Sequence, residues 1–198
     1  SLGGITLLCK FDGQRVTMAS QIAGADETVS SLYSVKSEQA TMLSFDTYNY
    51  LVHYFGQPQG SMADDPNGTL GGDYEFVISD ATADRIELKG KKYGNRIVMK
   101  AFSADQTWKQ YLTRIKKVED DAFFYEYDLR MDGLYTGQML RSNYTFIVTY
   151  YDEVGKVHQK TVPFMFTTDG MRFHEPVTID GQTMQNFVWK NEEIDRKS

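Results

Sequence analysis

The sequence contains almost no cysteine: Cys9 is the single one among 198 residues. No disulfide can therefore form within the chain, and a chain of this length buries enough surface to build a core without one. Cys9 shares one face of a predicted strand with Ile5, Leu7 and Phe11. We therefore expect Cys9 to be a buried core residue rather than a reactive thiol.

Histidine is also scarce, and the three that occur show none of the short spacings that bind zinc. They are His53, His158 and His174. There is no Gly-x-Ser-x-Gly nucleophile motif and no phosphate-binding glycine loop. Oxygen ligands for calcium are present in one acidic stretch, but they match no complete calcium loop. They are Asp64, Asp65, Asn67 and Asp73. The sequence therefore predicts no metal, no cofactor and no catalytic residues.

Long apolar runs and an excess of positive charge are missing as well. The hydrophobic stretches fall well short of the roughly 18 residues that a membrane-spanning helix needs. The 27 acidic residues outnumber the 21 basic ones, which gives a net charge of −6. Nucleic acid is therefore not an expected partner, because phosphate backbones attract concentrated positive charge. The basic residues between Lys89 and Lys100 are interpreted as a solvated hairpin tip.

Aromatic residues are abundant, and 13 tyrosines with 12 phenylalanines favour strands. Apolar alternation flanks several Asp–Gly pairs, which predicts hairpins at Asp12–Gly13, Asp169–Gly170 and Asp180–Gly181. We predict a mainly β fold of about ten to twelve antiparallel strands with a barrel-like or sandwich core. The residues after Lys190 are predicted to be a frayed polar tail.

Two helices interrupt the predicted strands. An amphipathic helix is predicted over about residues 103–118, because Ser103 and Gln106 form a capping-box pattern before an apolar stripe. A short helix is predicted over about residues 47–55, with Tyr48, Leu51, Val52 and Phe55 on one face. Its expected cap is Asp46 or Thr47.

The domain organisation follows from the position of the longer helix. We expect one compact domain over residues 1–198. The alternative subdivision is two β halves, about 1–102 and 121–190, joined by the helix at 103–118.

Three tyrosines are candidate contacts for a ligand or partner. Tyr50 and Tyr54 lie off the apolar face of the short helix, and Tyr135 lies in a turn near two glycines. Exposed rings of this kind stack on sugars or fill a pocket of a protein partner. The loop at residues 56–72 follows the short helix and is long enough to suggest a binding role.

Several phrases of the sequence resemble the family called domain of unknown function 4302, which comprises lipoproteins of Bacteroides-type bacteria. They are Leu43–Tyr50 with His53–Phe55, Gly72–Ile78, and Leu88–Lys92 with Gly94–Asn95. The resemblance covers nearly the whole chain, and the closing stretch Phe166–Trp189 also fits it. It implies a cell-envelope protein held by a lipid anchor upstream of residue 1, near components of nutrient uptake. It implies no activity and no functional residues.

The expected function is therefore a non-catalytic binding or accessory component of a nutrient-uptake system. Its expected partner is an envelope protein or an extracellular nutrient. One alternative is a lipocalin-like carrier of a small apolar ligand, which would need an interior cavity. Another is a hydrolase of glycans or peptides, which would need two carboxylates close together in a cleft. The acidic residues on predicted strands are Glu75, Glu87, Glu126 and Asp128.

Overall fold

The protein is mainly β, as the sequence predicts, and in the computed structural model it forms two antiparallel sheets. Each sheet has seven strands within the described part of the chain, and each strand pairs with its neighbours in sequence. The structure describes residues 3–37, 39–57, 70–122, 124–179, 181–190 and 193–196.

The chain divides into two compact units, one for each sheet. The N-terminal unit is Leu7–Trp108, and the C-terminal unit is Lys109–Ser198 together with Ser1–Thr6. Each sheet curls around its own hydrophobic core.

The N-terminal sheet is a meander with one short helix inserted in it. Its strands are β1 (Leu7–Asp12), β2 (Arg15–Ser20), β3 (Val29–Ser37), β4 (Thr41–Phe45), β5 (Glu75–Ala81), β6 (Arg85–Gly90) and β7 (Arg96–Lys100). Helix α1 (Tyr50–His53) and a 3-10 turn (Tyr54–Gly56) lie between β4 and β5.

The C-terminal sheet follows a longer helix, α2 (Trp108–Asp121). Its strands are β8 (Glu126–Met131), β9 (Leu134–Ser142), β10 (Thr145–Tyr151), β11 (Val157–Phe166), β12 (Gly170–Ile179), β13 (Gln182–Lys190) and β14 (Glu193–Arg196).

Two of these strands were not expected from the sequence. Asp132 and Gly133 both have positive φ, 50° and 80°, and turn β8 directly into β9. The predicted alternation ends at this turn, and the prediction that Tyr135 lies in a turn is wrong, because the segment after Gly133 is strand β9. The predicted frayed tail is also wrong over residues 193–196, because this segment pairs with β13 as β14. Its polar composition lacks the hydrophobic alternation that predicts a strand, although its partner β13 directly precedes it in the sequence.

The longer helix begins later than expected, at Trp108 rather than Ser103, and it continues to Asp121. Thr107 and Gln110 repeat the Ser/Thr-x-x-Gln pattern of a capping box. The helix begins directly after Thr107, and residues 104–106 form a turn and a bend instead.

The C-terminal core combines α2 with a group of phenylalanines. Ile115 is fully buried on α2, and Val118 is nearly so. The rings of Phe146 and Phe164 stack at 4.2 Å between centroids. Three more buried phenylalanines belong to the same core, namely Phe166, Phe173 and Phe187.

The N-terminal core is smaller and contains one helical turn. Its strand residues include Val16, Phe45 and Phe76, and α1 contributes Leu51 and Val52. Cys9 packs beside this core, and burial raises the pKa of its thiol to about 12. The thiol therefore stays protonated at neutral pH. Cys9 lies against the core, as the strand pattern predicts, but is partly rather than fully buried.

The segment at residues 3–6 leads into β1 but belongs to the C-terminal unit. The backbone N–H of Gly4 donates to the carbonyl oxygen of Phe164 at 2.9 Å. A Cβ on Gly3 would lie 1.8 Å from the carbonyl oxygen of Tyr144, and one on Gly4 would lie 2.2 Å from Nε2 of His174. Both positions therefore require glycine.

Candidate functional site

The short helix is fixed to the N-terminal sheet by one buried polar residue, Asn49. The Oδ1 atom of Asn49 accepts a hydrogen bond from the backbone N–H of Leu51 at 3.1 Å, which caps the helix. Its Nδ2 donates to Oγ of Ser31 on β3 at 3.1 Å. Asn49 is fully buried. The helical turn is therefore held against β3 in a defined orientation.

The predicted caps, Asp46 and Thr47, are wrong because the helix begins three residues later than the pattern suggests. Oγ1 of Thr47 instead accepts a hydrogen bond from the backbone N–H of Leu32 at 2.8 Å. Tyr48, expected on the buried face, precedes the helix and is 59% exposed.

Three side chains form a continuous surface of rings beside α1, which we call the aromatic row. The ring centroids of Tyr48 and His53 are 5.5 Å apart, and those of His53 and Tyr74 are 5.0 Å apart. The His53 and Tyr74 rings are nearly parallel, at 15°. Tyr74 is 47% exposed. The row therefore presents aromatic surface that the fold has already oriented.

The central ring of the row has a defined orientation. The backbone N–H of Asn49 donates to Nδ1 of His53 at 3.1 Å. Nδ1 also lies 3.1 Å from the carbonyl oxygen of Asn49, so the ring is bonded to the backbone of the cap residue in either tautomer. The cap residue thus fixes both the helix and the histidine ring.

The outer ring belongs to Tyr74, and the residue before it, Asp73, bonds to the turn between β6 and β7. The carboxylate of Asp73 accepts hydrogen bonds from the backbone N–H groups of Lys92 at 2.7 Å, Tyr93 at 3.0 Å and Asn95 at 3.2 Å. It also accepts one from Nδ2 of Asn95 at 2.8 Å. We call this arrangement the Asp73 clamp. It holds the turn between β6 and β7 against the segment that begins β5.

Two glycines make this close packing possible. A Cβ on Gly90 would lie 1.9 Å from Oδ2 of Asp73. A Cβ on Gly72 would lie 2.3 Å from Cβ of Phe55, and the Gly72 N–H donates to the Phe55 carbonyl oxygen at 2.9 Å. The segment before β5 therefore runs directly against the 3-10 turn, which brings Tyr74 to His53.

The three tyrosines proposed from the sequence lie in different surroundings. The hydroxyl of Tyr50 donates to the carboxylate of Glu27, and this bond, with burial, raises the Tyr50 pKa to about 12. Tyr54 is 42% exposed and meets Phe55 edge-to-face at 5.5 Å. Tyr135 lies in β9 of the C-terminal unit and is 53% exposed. Tyr54 and Tyr135 thus offer open rings, whereas the hydroxyl of Tyr50 is already bonded.

Part of the loop singled out at residues 56–72 lies outside the described residues, which resume at residue 70. The same holds for Asp64, Asp65 and Asn67. Asp73 is described, and its carboxylate is occupied by the Asp73 clamp.

The strand carboxylates bond to neighbouring polar and basic side chains. Glu75 pairs with Lys91 at 3.0 Å, and Asp128 pairs with Arg130 at 3.1 Å. Glu87 pairs with Arg85 and Arg96, and Glu126 accepts a hydrogen bond from Gln138. These contacts belong to solvated strand faces.

The remaining two histidines belong to the C-terminal unit. Nε2 of His158 lies 2.8 Å from Oδ2 of Asp152, and this hydrogen bond, with that of the Lys156 N–H, lowers the Asp152 pKa. His174 faces Gly4, and burial lowers its pKa. Among the residues that the structure describes, no three His, Cys, Asp or Glu side chains are grouped so that they could hold a metal ion.

The sequence did not predict the aromatic row, because helical spacing pointed to Tyr50 and Tyr54 as the exposed rings of the short helix. A signal was nevertheless present, because Tyr48 and His53 lie in one of the phrases that carry the family resemblance and Tyr74 lies in another. Chemically, the row offers ring faces for stacking and ring edges for polar contacts.

Comparison with known proteins gives one match. A family model with the description "Domain of unknown function (DUF4302)" matches residues 1–191. No curated protein and no solved structure matches the chain. In the part of the chain that the structure describes, no helix combines the length and apolarity needed to cross a membrane.

Proposed function

The chain belongs to the DUF4302 family, whose description assigns no activity, and from this premise we propose that it is a non-catalytic binding protein. Its binding surface is the aromatic row of Tyr48, His53 and Tyr74. The bound molecule is an extracellular nutrient or another envelope protein that presents a flat or cyclic apolar face.

One observation carries this proposal: the row is exposed and yet rigidly placed. The backbone of Asn49 holds the His53 ring, the Asp73 clamp fixes the backbone next to Tyr74, and the Tyr74 ring stacks on His53 without any ligand. Large exposed rings cost hydration free energy when left in water, so a fixed group of them favours a binding role. Preorganised rings also bind with a smaller loss of side-chain entropy.

The proposal includes a location in the cell envelope, through a lipid anchor joined upstream of residue 1. The support for this is the resemblance to lipoproteins of Bacteroides-type bacteria. A binding component near nutrient-uptake proteins would use the aromatic row to contact either the nutrient or the uptake protein.

The alternative of an apolar-ligand carrier has less support. A lipocalin-like carrier needs an empty interior, whereas the C-terminal core contains α2 and stacked phenylalanines. The hydrolase alternative would need two free carboxylates in a cleft, and the candidate carboxylates bond to neighbouring side chains.

The test is a binding comparison between two double variants. Tyr48→Ala with Tyr74→Ala removes the outer rings of the row. Tyr125→Ala with Tyr151→Ala removes two tyrosines of the C-terminal unit that are at least as exposed as those of the row, and it serves as the matched control. Each purified protein is immobilised and exposed to solubilised envelope proteins and, separately, to oligosaccharides from the same bacterium.

We expect the row variant to lose at least about tenfold in the bound material, measured by mass spectrometry, since truncating a binding hot spot costs about 2 kcal/mol. The control should bind like the unmodified protein. Equal binding by both variants would contradict the proposal.

A further inference from the structure

One edge of the N-terminal sheet is strand β7, which pairs only with β6 among the residues that the structure describes. The backbone N–H of Ala101, the residue after β7, donates to the carbonyl oxygen of Asp84 on the β6 side. Because backbone groups alternate between the two sides of an antiparallel strand, those of Lys100 and Val98 point to the other side. Within the described ranges, these outward N–H and C=O groups bond to no other residue. The edge is therefore open to a further strand.

The side chains of β7 alternate between the two faces of the sheet. Ile97 and Met99 are half-buried and pack against the N-terminal core. Arg96, Val98 and Lys100 are exposed on the opposite face. A strand added to this edge would thus cover apolar side chains on one face and meet two basic side chains on the other.

The exposed face of β6 and β7 contains two pairs of like charges. Lys89 lies directly opposite Arg96, and Arg85 lies directly opposite Lys100. Like charges in this position destabilise a sheet. Glu87 lies between the two pairs and forms ion pairs with Arg85 and Arg96. Four basic residues and one acidic residue leave these two strands with a charge of +3 on this face, in a chain whose net charge is −6.

These charges exclude a second copy of β7 as the occupant of the edge. Antiparallel pairing of two such edges, centred on Val98, would place Arg96 of each copy opposite Lys100 of the other, where like charges repel. Charged side chains, lysine above all, prevent edge-to-edge association of this kind in natural sheets. The charge selects instead a strand that carries acidic side chains.

The outward backbone groups and the half-buried residues indicate that the occupant is a peptide. An acidic polysaccharide would neutralise the basic side chains, but it would not cover Ile97 and Met99 on the other face of the sheet. An extended peptide pairs with the backbone of an edge strand and places successive side chains on alternate faces. It can therefore contact the basic face and the apolar face at once.

We propose that β7 binds an extended acidic segment of another protein, which joins the N-terminal sheet as an additional antiparallel strand. Two acidic side chains of this segment, four positions apart, lie opposite Arg96 and Lys100. The apolar side chains between them lie beside Ile97 and Met99, and the backbone of the central residue pairs with that of Val98. None of these residues belongs to the aromatic row, so the inference adds a second binding surface to the proposed function.

The experiment is an NMR titration of the isotope-labelled full chain with the acetylated and amidated peptide Ser-Glu-Val-Thr-Val-Glu-Ser. A peptide with lysine in place of both glutamates tests the charge. An N-methyl group on the central threonine removes the N–H that faces Val98. The same group on a valine, whose N–H points away from β7, is the matched control.

Variants of the protein test the same two features. Val98→Pro removes the outward N–H, which an edge strand tolerates, and Val98→Ala is its control. Lys100→Glu reverses one charge, and Lys10→Glu, at an exposed position of the opposite edge strand β1, is its control. Circular dichroism checks that each variant is folded.

We expect the acidic peptide to shift the amide signals of Val98 and Lys100, and the lysine peptide to leave them unchanged. Val98→Pro and the threonine N-methyl group should each weaken binding at least about tenfold, since each removes a backbone hydrogen bond and prevents close approach. Lys100→Glu should weaken it about fivefold or more, because it places like charges opposite each other. Lys10→Glu and Val98→Ala should bind nearly as well as the unmodified chain.

The absence of any shift at millimolar peptide would overturn the proposal, as would equal binding of the lysine peptide. Equal binding of the threonine N-methyl peptide would also overturn it, because attraction would then depend on charge alone. The aromatic row is tested with other ligands and other variants, so a failure at β7 leaves the proposed function standing.

Discussion

The two units have the same strand topology but differ in what fills their cores. The C-terminal core contains α2 and five phenylalanines, and its buried members are almost entirely apolar. The N-terminal core contains a single helical turn, and the fully buried polar Asn49 fixes that turn to β3. The C-terminal unit thus buries five phenylalanines in its core, whereas the N-terminal unit presents a row of contacting rings at its surface.

This difference suggests that the C-terminal core mainly provides stability, whereas the buried polar residue of the N-terminal unit supports a surface site. A core that is filled by apolar side chains specifies a rigid unit but leaves few polar anchors for a surface site. A buried hydrogen-bonded asparagine fixes one orientation of the helical turn, and the turn in turn orients His53. The polar anchor of the N-terminal unit therefore supports the aromatic row directly.

The largest expected effect comes from breaking the aromatic core of the C-terminal unit. Phe164→Ala should lower the free energy of unfolding by about 3–5 kcal/mol, because Phe164 is fully buried and stacks on Phe146. The measurement is urea unfolding, with Phe102→Ala, a partly exposed phenylalanine, as the control. A loss below about 1 kcal/mol would mean that the core repacks easily.

A smaller effect is expected from the polar anchor of the N-terminal unit. Asn49→Ala should cost about 1–2 kcal/mol, because it removes the helix cap and leaves the Ser31 hydroxyl without this partner. The same variant should also shift the NMR signals of the His53 ring. Asn186→Ala, at an exposed position of β13, is the control. Unchanged His53 signals would show that the cap does not orient the row.

The smallest expected effect is a pH dependence of the free energy of unfolding, which His174 of the C-terminal unit causes. Burial lowers the His174 pKa, with a further contribution from Arg172, while Glu175 opposes it. The unfolded chain therefore binds the proton first as pH falls through about 6.5. The stability of the folded state should decrease from neutral pH down to the lowered pKa of His174.

His174→Gln should reduce this slope, because glutamine does not titrate. The measurement is the urea midpoint at several pH values between neutrality and pH 5. An identical slope in the variant and the unmodified protein would rule out His174 as the source.

The sequence predicted the mainly β class because its turns are local. Asp12–Gly13 joins β1 to β2 as expected, with Gly13 at a φ of 58°. The start of α2 was missed because two capping patterns lie four residues apart, and the helix begins after the second one, at Trp108. A tight turn can thus be predicted from a few residues, whereas the start of a helix cannot be predicted when two similar capping patterns lie close together.

The candidate site was harder to predict because it depends on contacts between distant segments. Tyr74 reaches His53 only through the pairing of β4 with β5 and through the close approach of Gly72 to Phe55. Helical spacing around Tyr50 carries no information about either contact. The motif residue Asp73 contributes indirectly, because it builds the turn beside which Tyr74 stands.

The segment at residues 3–6 also sets an order of events during synthesis. This segment is translated before strands β1 to β14, yet its partners Tyr144 and Phe164 are translated much later, on the order of ten seconds at usual elongation rates. During that interval all strands of the N-terminal unit, together with Tyr48, His53 and Tyr74, become available. The nascent chain can therefore complete the N-terminal sheet with its aromatic row before residues 3–6 can contact Tyr144 and Phe164 of the C-terminal unit.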